Sequence, residues 1–444
     1  MMGATFALLL ATLQAFPPLL GPAGEFGKFM DETQSAQVAL NFLTHLHYSI
    51  DLWKPYAGAF YPEMSIGLLS SWPAAVGWGL GGDLLASRLA TILYCLALWL
   101  VVGTVAARTV LAVDRAPAFV ISCLTCALAL LLVPGAADVV VHAQGEFSGA
   151  GWLGLGCVLS IARPRTAALV LGLCVWHTKF IFLPFVLLAM VWSACTHERT
   201  PIRRAKLLAV ELALFMLPLV AWMVVIASQI GAGGLAEWAA RRVGWYGRGN
   251  SGLSGAPTVQ GLRNRLAAPN LEWSGYSLAT KVRILTLLFA PCALLLGATA
   301  RRRLAGERRR ALDLLQAALV AIQLAFAWWY FYWNEFMWVR HLEPALLVGF
   351  AVLAYFATRA AVRLPEKRQA WIATAACAVA IVAALGRMSD TAAAIRAWPL
   401  TGSVARACRS GVPWQMGPWP RCMRLSATII RPAAPPTTPP GSAR

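Results

Sequence analysis

Charge is what this 444-residue chain has least of. Only 13% of its residues are Asp, Glu, Lys or Arg, about half of the ~25% carried by soluble domains. With 59% hydrophobic residues and a mean hydropathy of +0.63, a soluble globular fold is excluded. Acidic residues are the scarcer sign: 19 stand against 38 Lys and Arg, a net charge of +19. In a soluble chain that excess would point to nucleic acid. Here most of the Arg lies in short loops between apolar runs, the pattern of loops retained in the cytoplasm. No nucleic-acid partner is expected. The first apolar run has no basic residue before it and no small-residue cleavage site. It reads as a first membrane helix rather than a removed signal peptide. No internal repeat is present.

What the chain does have is apolar runs of bilayer length. The expected fold is all-α, a polytopic transmembrane helical bundle of about 11 spans: 2–20, 84–106, 117–134, 147–162, 167–177, 180–195, 207–230, 277–298, 311–330, 342–362 and 370–386. Five basic loops fix the sidedness. Arg108 and Arg115 lie in one and Arg163 and Arg165 in another; "THERTPIRRAK" (196–206), "RRRLAGERRR" (301–310) and "RAAVRLPEKR" (359–368) complete the set. All fall on one side if each span crosses once, and that side is cytoplasmic. Residues 167–195 satisfy the pattern only as two short helices broken at "HTKF" (177–180). Lys179 then sits at a break on the outer side, spared most of the roughly 2.5–3.5 kcal/mol of a mid-membrane lysine.

The membrane domain covers 1–386, with a first outer loop at 21–83 and a long one at 231–276. Within the first loop, 33–50 and 61–80 read as amphipathic helices in or near the outer interface. A small exoplasmic segment, 387–430, precedes a Pro-rich tail, 431–444, expected to be disordered. Eight of the ten cysteines lie in or beside apolar runs, where Cys packs as a small hydrophobe; Cys123 and Cys126, though a C-x-x-C, read the same way. Cys408 and Cys422, in the polar tail, would share an oxidising compartment and form or not form a disulfide.

This orientation places several polar groups on one face. Asp31 and Glu32 follow the first span; Asp138 and Glu146 flank an outer turn; Lys179 is at the break; Arg340, His341 and Glu343 open the tenth span. Polar residues at membrane depth or its edge are functional candidates. One chemistry that uses them is transfer of a sugar from a lipid phosphate to an acceptor hydroxyl. The phosphate leaves without a general acid but needs cations for the charge released. The hydroxyl needs a carboxylate base. Asp31 fits the base, and Lys179, Arg340 and His341 fit the cradle. Asp31 and Glu32 are adjacent, so they are not a glycosidase pair, whose carboxylates flank a bond from about 5 Å or more. Glu32 is left as a metal ligand or a loop brace, Glu146 as a metal or acceptor ligand, and Asp138 as an acceptor-side or structural group. The bland readings stand beside these: Lys179 as a snorkelling lysine and Arg340 as an interface anchor in the aromatic run "WWYFYWNEFMWVRH". His45 and His47 are two apart and do not share a helix face. Arg241, Arg242, Arg248, Arg263 and Arg265 outnumber Glu237 and Glu272 in the long outer loop, which would cover a donor phosphate or simply be surface.

In order, "MDETQSAQVALNFL", "YPEMSIGLL", "DLLASRLATIL", "GEFSGAGWLGLGCVL", "GLCVWHTKFIFLPFVLL" and "RHLEPALLVGFAVLAY" resemble the GT-C membrane glycosyltransferases. The likeness is to the protein O-mannosyltransferase and lipid A aminoarabinose transferase branch, glycosyltransferase family 39-like, over about 1–365. The resemblance implies a polyprenyl-phosphate-linked sugar as donor, inversion at the anomeric carbon and often a divalent metal ion. It also implies a periplasmic site in a bacterial inner membrane and a glycan, lipid or protein acceptor. By position Asp31 matches the catalytic base, Lys179 the phosphate-side lysine and Arg340 the late arginine. His341 stands where an aromatic is usual. Glu63, in "YPEMS", stands where Lys-Pro-Pro or Pro-Pro is frequent. Two other classes remain open: a transporter or flippase of a lipid-linked anion, and a non-catalytic scaffold of the same fold.

Overall fold

The computed structural model describes residues 1–13, 39–41, 43–44, 49–50, 59–60, 67–81, 84–141, 145–198, 200–247, 276–301, 307–333 and 339–386. Among them the chain is helical apart from a two-residue antiparallel pairing of Ser49 with Phe60 and Ile50 with Ala59. The amphipathic helix expected over 33–50 therefore does not reach residue 49.

The helices are α1 (Met2–Thr12), α2 (Leu68–Gly81), α3 (Leu84–Leu111), α4 (Arg115–Leu132), α5 (Ala136–Val141), α6 (Glu146–Ser160) and α7 (Pro164–His177). They continue with α8 (Leu183–His197), α9 (Pro201–Gly247), α10 (Leu278–Arg301), α11 (Glu307–Trp328), α12 (Val339–Ala361) and α13 (Glu366–Gly386). Eight helices among the described residues are long and apolar enough to cross a bilayer, the architecture of a multi-pass membrane protein. The difference from eleven lies in three places. α1 has 11 residues, α6 has 15 and α7 has 14. At 1.5 Å per residue the last two are about 21–22 Å long, short of a hydrocarbon core of about 30 Å.

These short helices sit inside longer ones. α3 has 28 residues and runs parallel to α6. The Trp99 indole donates to Phe147 O at 2.9 Å, and the two rings stack with centroids 4.5 Å apart. Further along, Gly154 lies against Val102. Trp99 is about four turns into α3, whereas Phe147 is in the first turn of α6. The start of α6 is thus recessed by several turns behind the start of α3. We call this the recessed end. At the other, basic end lie Arg108, Arg115, Arg163, Arg165 and Arg204. There His197 Nε2 meets Ser160 O at 2.6 Å, tying the ends of α6 and α8 together.

Small residues set how closely the helices pack, as between membrane helices generally. A Cβ on Gly172 of α7 would strike the backbone of Phe215 in α9, and one on Gly349 of α12 the backbone of Leu287 in α10. Pro218, inside α9, supplies no amide to the helix ladder. Two carbonyls beside it accept from side chains of α7: Phe215 O from the Trp176 indole at 3.1 Å and Pro218 O from His177 Nε2 at 3.3 Å. The expected interfacial helix at 61–80 appears as α2. Ser70, Ser71, Pro73, Ala74, Ala75 and Gly77 on it are buried, and it packs along α3. One of its faces belongs to the protein interior, because a Cβ at Gly77 would meet Ala86 and Ala90 of α3. The eight cysteines among the described residues are free thiols, with Cys123 and Cys126 fully buried.

Candidate functional site

The break expected at 177–180 is present. α7 ends at His177 with Thr178 as its cap, Lys179 leaves helical geometry, and one 3-10 turn, Phe180–Phe182, leads into α8. Lys179 is extended, with φ −152° and ψ 127°. One contact holds this turn against α2, one ties it back to α7, and one joins α2 to α6 beside it. Gly67 N donates to Thr178 O at 2.8 Å. The Thr178 hydroxyl donates to Cys174 O. Ser70 and Ser148 join their hydroxyls at 2.9 Å beside it. The N-termini of α2 and α6 and the end of α7 therefore meet at one point.

Glycine makes that meeting possible. Gly145, immediately before α6, has φ +91°, a left-handed conformation that costs other residues free energy. A Cβ there would come 3.1 Å from both Ser70 Oγ and Thr178 O. One turn later a Cβ on Gly149 would press on the Phe182 ring and stand 2.9 Å from Thr178 Oγ1. The sequence "GEFSG" (145–149) thus reads as a cradle for the 178–182 turn.

Into this cradle the protein places one ion pair. Lys179 Nζ donates to Glu146 Oε1. Glu146 is fully buried, while 17% of the Lys179 side chain is exposed. Glu146 Oε2 is buried with no hydrogen-bond partner among the described residues. An ion this deep persists because it is paired; leaving either partner alone would be far costlier. Glu146 is also in the first turn of α6, where the helix dipole favours a carboxylate.

The late segment reaches the same end through rings. Phe185 of α8 stacks on Phe326 of α11 at 5.3 Å. Phe326 meets Trp329 edge-on at 6.3 Å, and Trp329 lies 5.9 Å from the His341 ring. Trp329 opens a π-helical turn, Trp329–Trp333, a feature frequent at functional sites. Three ring contacts therefore connect the Lys179 break to the first turn of α12, which also contains Arg340. Glu343, one turn on, is buried.

Of the residues singled out from sequence, Glu146 and Lys179 come into direct contact and His341 shares their end of the bundle. Arg340 and Asp138 are placed by their backbones alone, in α12 and α5. Asp31, Glu32, His45, His47, Glu63, Arg248, Arg263, Arg265, Glu272, Cys408, Cys422 and the Pro-rich tail lie outside the described residues. No group of three His, Cys, Asp or Glu able to hold a metal ion gathers among the described residues. Glu146, expected as a metal or acceptor ligand, gives one oxygen to an ammonium.

Sequence reasoning passed over two buried ionisable residues. Arg88, in the second turn of α3, is 2% exposed. Glu211, deep in α9, is 1% exposed, and its Oε1 accepts from the Ser193 hydroxyl at 2.7 Å. Both stand in apolar runs, "ASRLA" and "AVELA", and the rule that intramembrane charge marks a site would have found them. Arg283 of α10 was also missed. Its guanidinium donates to Leu131 O at 3.3 Å and to Thr280 Oγ1 at 3.2 Å, satisfying a carbonyl that the end of α4 leaves open. No protein-family model, curated protein or solved structure matches the chain.

Proposed function

We propose that this protein is a membrane glycosyltransferase that moves a sugar from a polyprenyl-phosphate donor to an acceptor hydroxyl at the recessed, exoplasmic end of the bundle. The observation that carries the reading is the Glu146–Lys179 pair. It lies at a helix break, between α6 and α7, which at 15 and 14 residues are shorter than the hydrocarbon core of a bilayer. A recess of that kind admits a headgroup from the lipid side and an acceptor from the water side. In this reading Lys179 meets the donor phosphate and stabilises the charge that builds on the leaving oxygen. Arg340 and His341 complete the cationic side, and Asp31 takes the acceptor proton. The sugar–phosphate bond breaks as the new glycosidic bond forms, with inversion. The phosphate keeps the bonding electrons and the proton goes to the carboxylate.

The helix break also favours a second reading, transport of a lipid-linked anion, because broken helices with charges at the gap are a transporter device. One experiment separates the two. A deletion strain, the same strain carrying the chain, and one carrying Asp31→Asn are compared by mass spectrometry of envelope glycans and glycoproteins. A single sugar missing from both the deletion and the Asp31→Asn strain supports transfer. Full glycosylation in the Asp31→Asn strain refutes Asp31 as the base. Solute accumulation in sealed vesicles without glycosylated product refutes transfer altogether.

A further inference from the structure

The proposed transfer leaves Glu146 without a part, and its surroundings give it one. Lys179 sits in the break itself, yet it is not a bare charge there. Its ammonium donates to a carboxylate that is completely buried, so the pair presents no net charge to an incoming phosphate. An ammonium has three N–H donors, and one is spent on Glu146 Oε1. With 17% of its side chain exposed, Lys179 can give another to a ligand without leaving the carboxylate. The carboxylate is completely buried, and the backbone on both sides of it packs tightly on the 178–182 turn at Gly145 and Gly149. Its second oxygen, Oε2, is buried and has no partner among the described residues.

From this we infer that Glu146 is a positioning residue that holds Lys179 at the break and weakens its grip on phosphate by acting as a permanent counter-ion. The inference rests on the transferase reading. Its use there is turnover. A lipid phosphate product carries more negative charge than the sugar-linked donor. Repulsion from a fixed carboxylate therefore falls hardest on the product and speeds its release. Two unit charges about 5–6 Å apart at an effective dielectric near 20 repel strongly enough to change binding tenfold or more.

The test uses the full chain in detergent and undecaprenyl phosphate as the probe, read by titration calorimetry, beside steady-state turnover with a polyprenyl-phosphate sugar. Glu146→Gln keeps the shape and a hydrogen-bond acceptor but removes the charge. It is expected to bind the probe about tenfold tighter than wild type, with KM for the donor and kcat falling together. A merely structural role would lower kcat while weakening binding. Glu146→Asp, which keeps the charge but draws it back by one methylene, covers the case in which Glu146→Gln fails to fold. It is expected to tighten the probe by a smaller factor. Unchanged or weaker probe binding in the folded variants, with wild type binding normally, overturns the counter-ion role and leaves the transferase reading standing. Failure of wild type and both variants to bind the probe overturns both.

Discussion

Two buried carboxylates in this bundle invite comparison. Glu146 at the recessed end and Glu211 inside α9 are equally hidden, at 0% and 1% exposure. Each gives one oxygen to a partner and leaves the other without one among the described residues. Their partners differ in kind. Glu146 faces an ammonium, and Glu211 faces the hydroxyl of Ser193. Their surroundings differ as well. The first pair closes a helix break at the recessed end, while the second joins two neighbouring helices, α8 and α9, away from any break. The comparison teaches that burial alone does not mark a site. Glu211 is bonded to a neutral hydroxyl between packed helices, whereas Glu146 is bonded to an ammonium that is itself partly exposed at a helix break.

The sharpest way to break this contrast is to remove the ammonium. Lys179→Met leaves Glu146 a buried charge with no counter-ion, and should cost about 3–5 kcal/mol. The buried free thiols Cys95, Cys123, Cys126, Cys174 and Cys292 supply the readout: thermal unfolding in detergent, followed by a thiol-reactive dye. An unfolding temperature within a degree of wild type would show that the pair does not hold the break together. The double variant Lys179→Met with Glu146→Gln should regain most of that loss, since a buried pair replaced on both sides is often near neutral. The non-additivity itself is the measured coupling.

A smaller effect tests the cradle rather than the charge. Gly149→Val drives a branched side chain into Phe182 and Thr178, and should cost about 1–3 kcal/mol by overpacking. It should also shift the Lys179 turn enough to lose transfer. Retained transfer would mean that the turn tolerates movement. Gly145→Ala, strained at φ +91°, should cost about 1–2 kcal/mol in the same assay.

The smallest change is expected at the other carboxylate. Ser193→Ala removes one neutral hydrogen bond and should cost about 0.5–1.5 kcal/mol, with transfer unaffected. If Ser193→Ala abolished transfer while Gly149→Val did not, the assignment of the two carboxylates would be reversed.

Much of the bundle was legible because lipid forces every spanning backbone group into helical hydrogen bonds. Apolar length and basic loops therefore placed α3, α4, α8, α10, α11, α12 and α13 near their observed bounds, while α9, expected over 207–230, runs on to Gly247 past a non-helical Gly231. The break at Lys179 was legible for the same reason, since a single helix over 167–195 contradicted the basic loops. So were the short lengths of α6 and α7, expected over 147–162 and 167–177 and found at Glu146–Ser160 and Pro164–His177; the offset of α6 behind the start of α3 was not, because parallel packing sets it. The partner of Lys179 was not legible either, because Glu146 lies 33 residues away.

The amino-acid sequence by itself determined that this chain is a helical membrane protein with its helix ends sorted by charge, because hydropathy and loop arginines act locally on each segment. Which acid meets which base was decided by the tertiary structure alone. Gly145 and Gly149 let the 178–182 turn come close enough for an ammonium to reach a buried carboxylate, and a contact across two helix ends has no local signature in the chain.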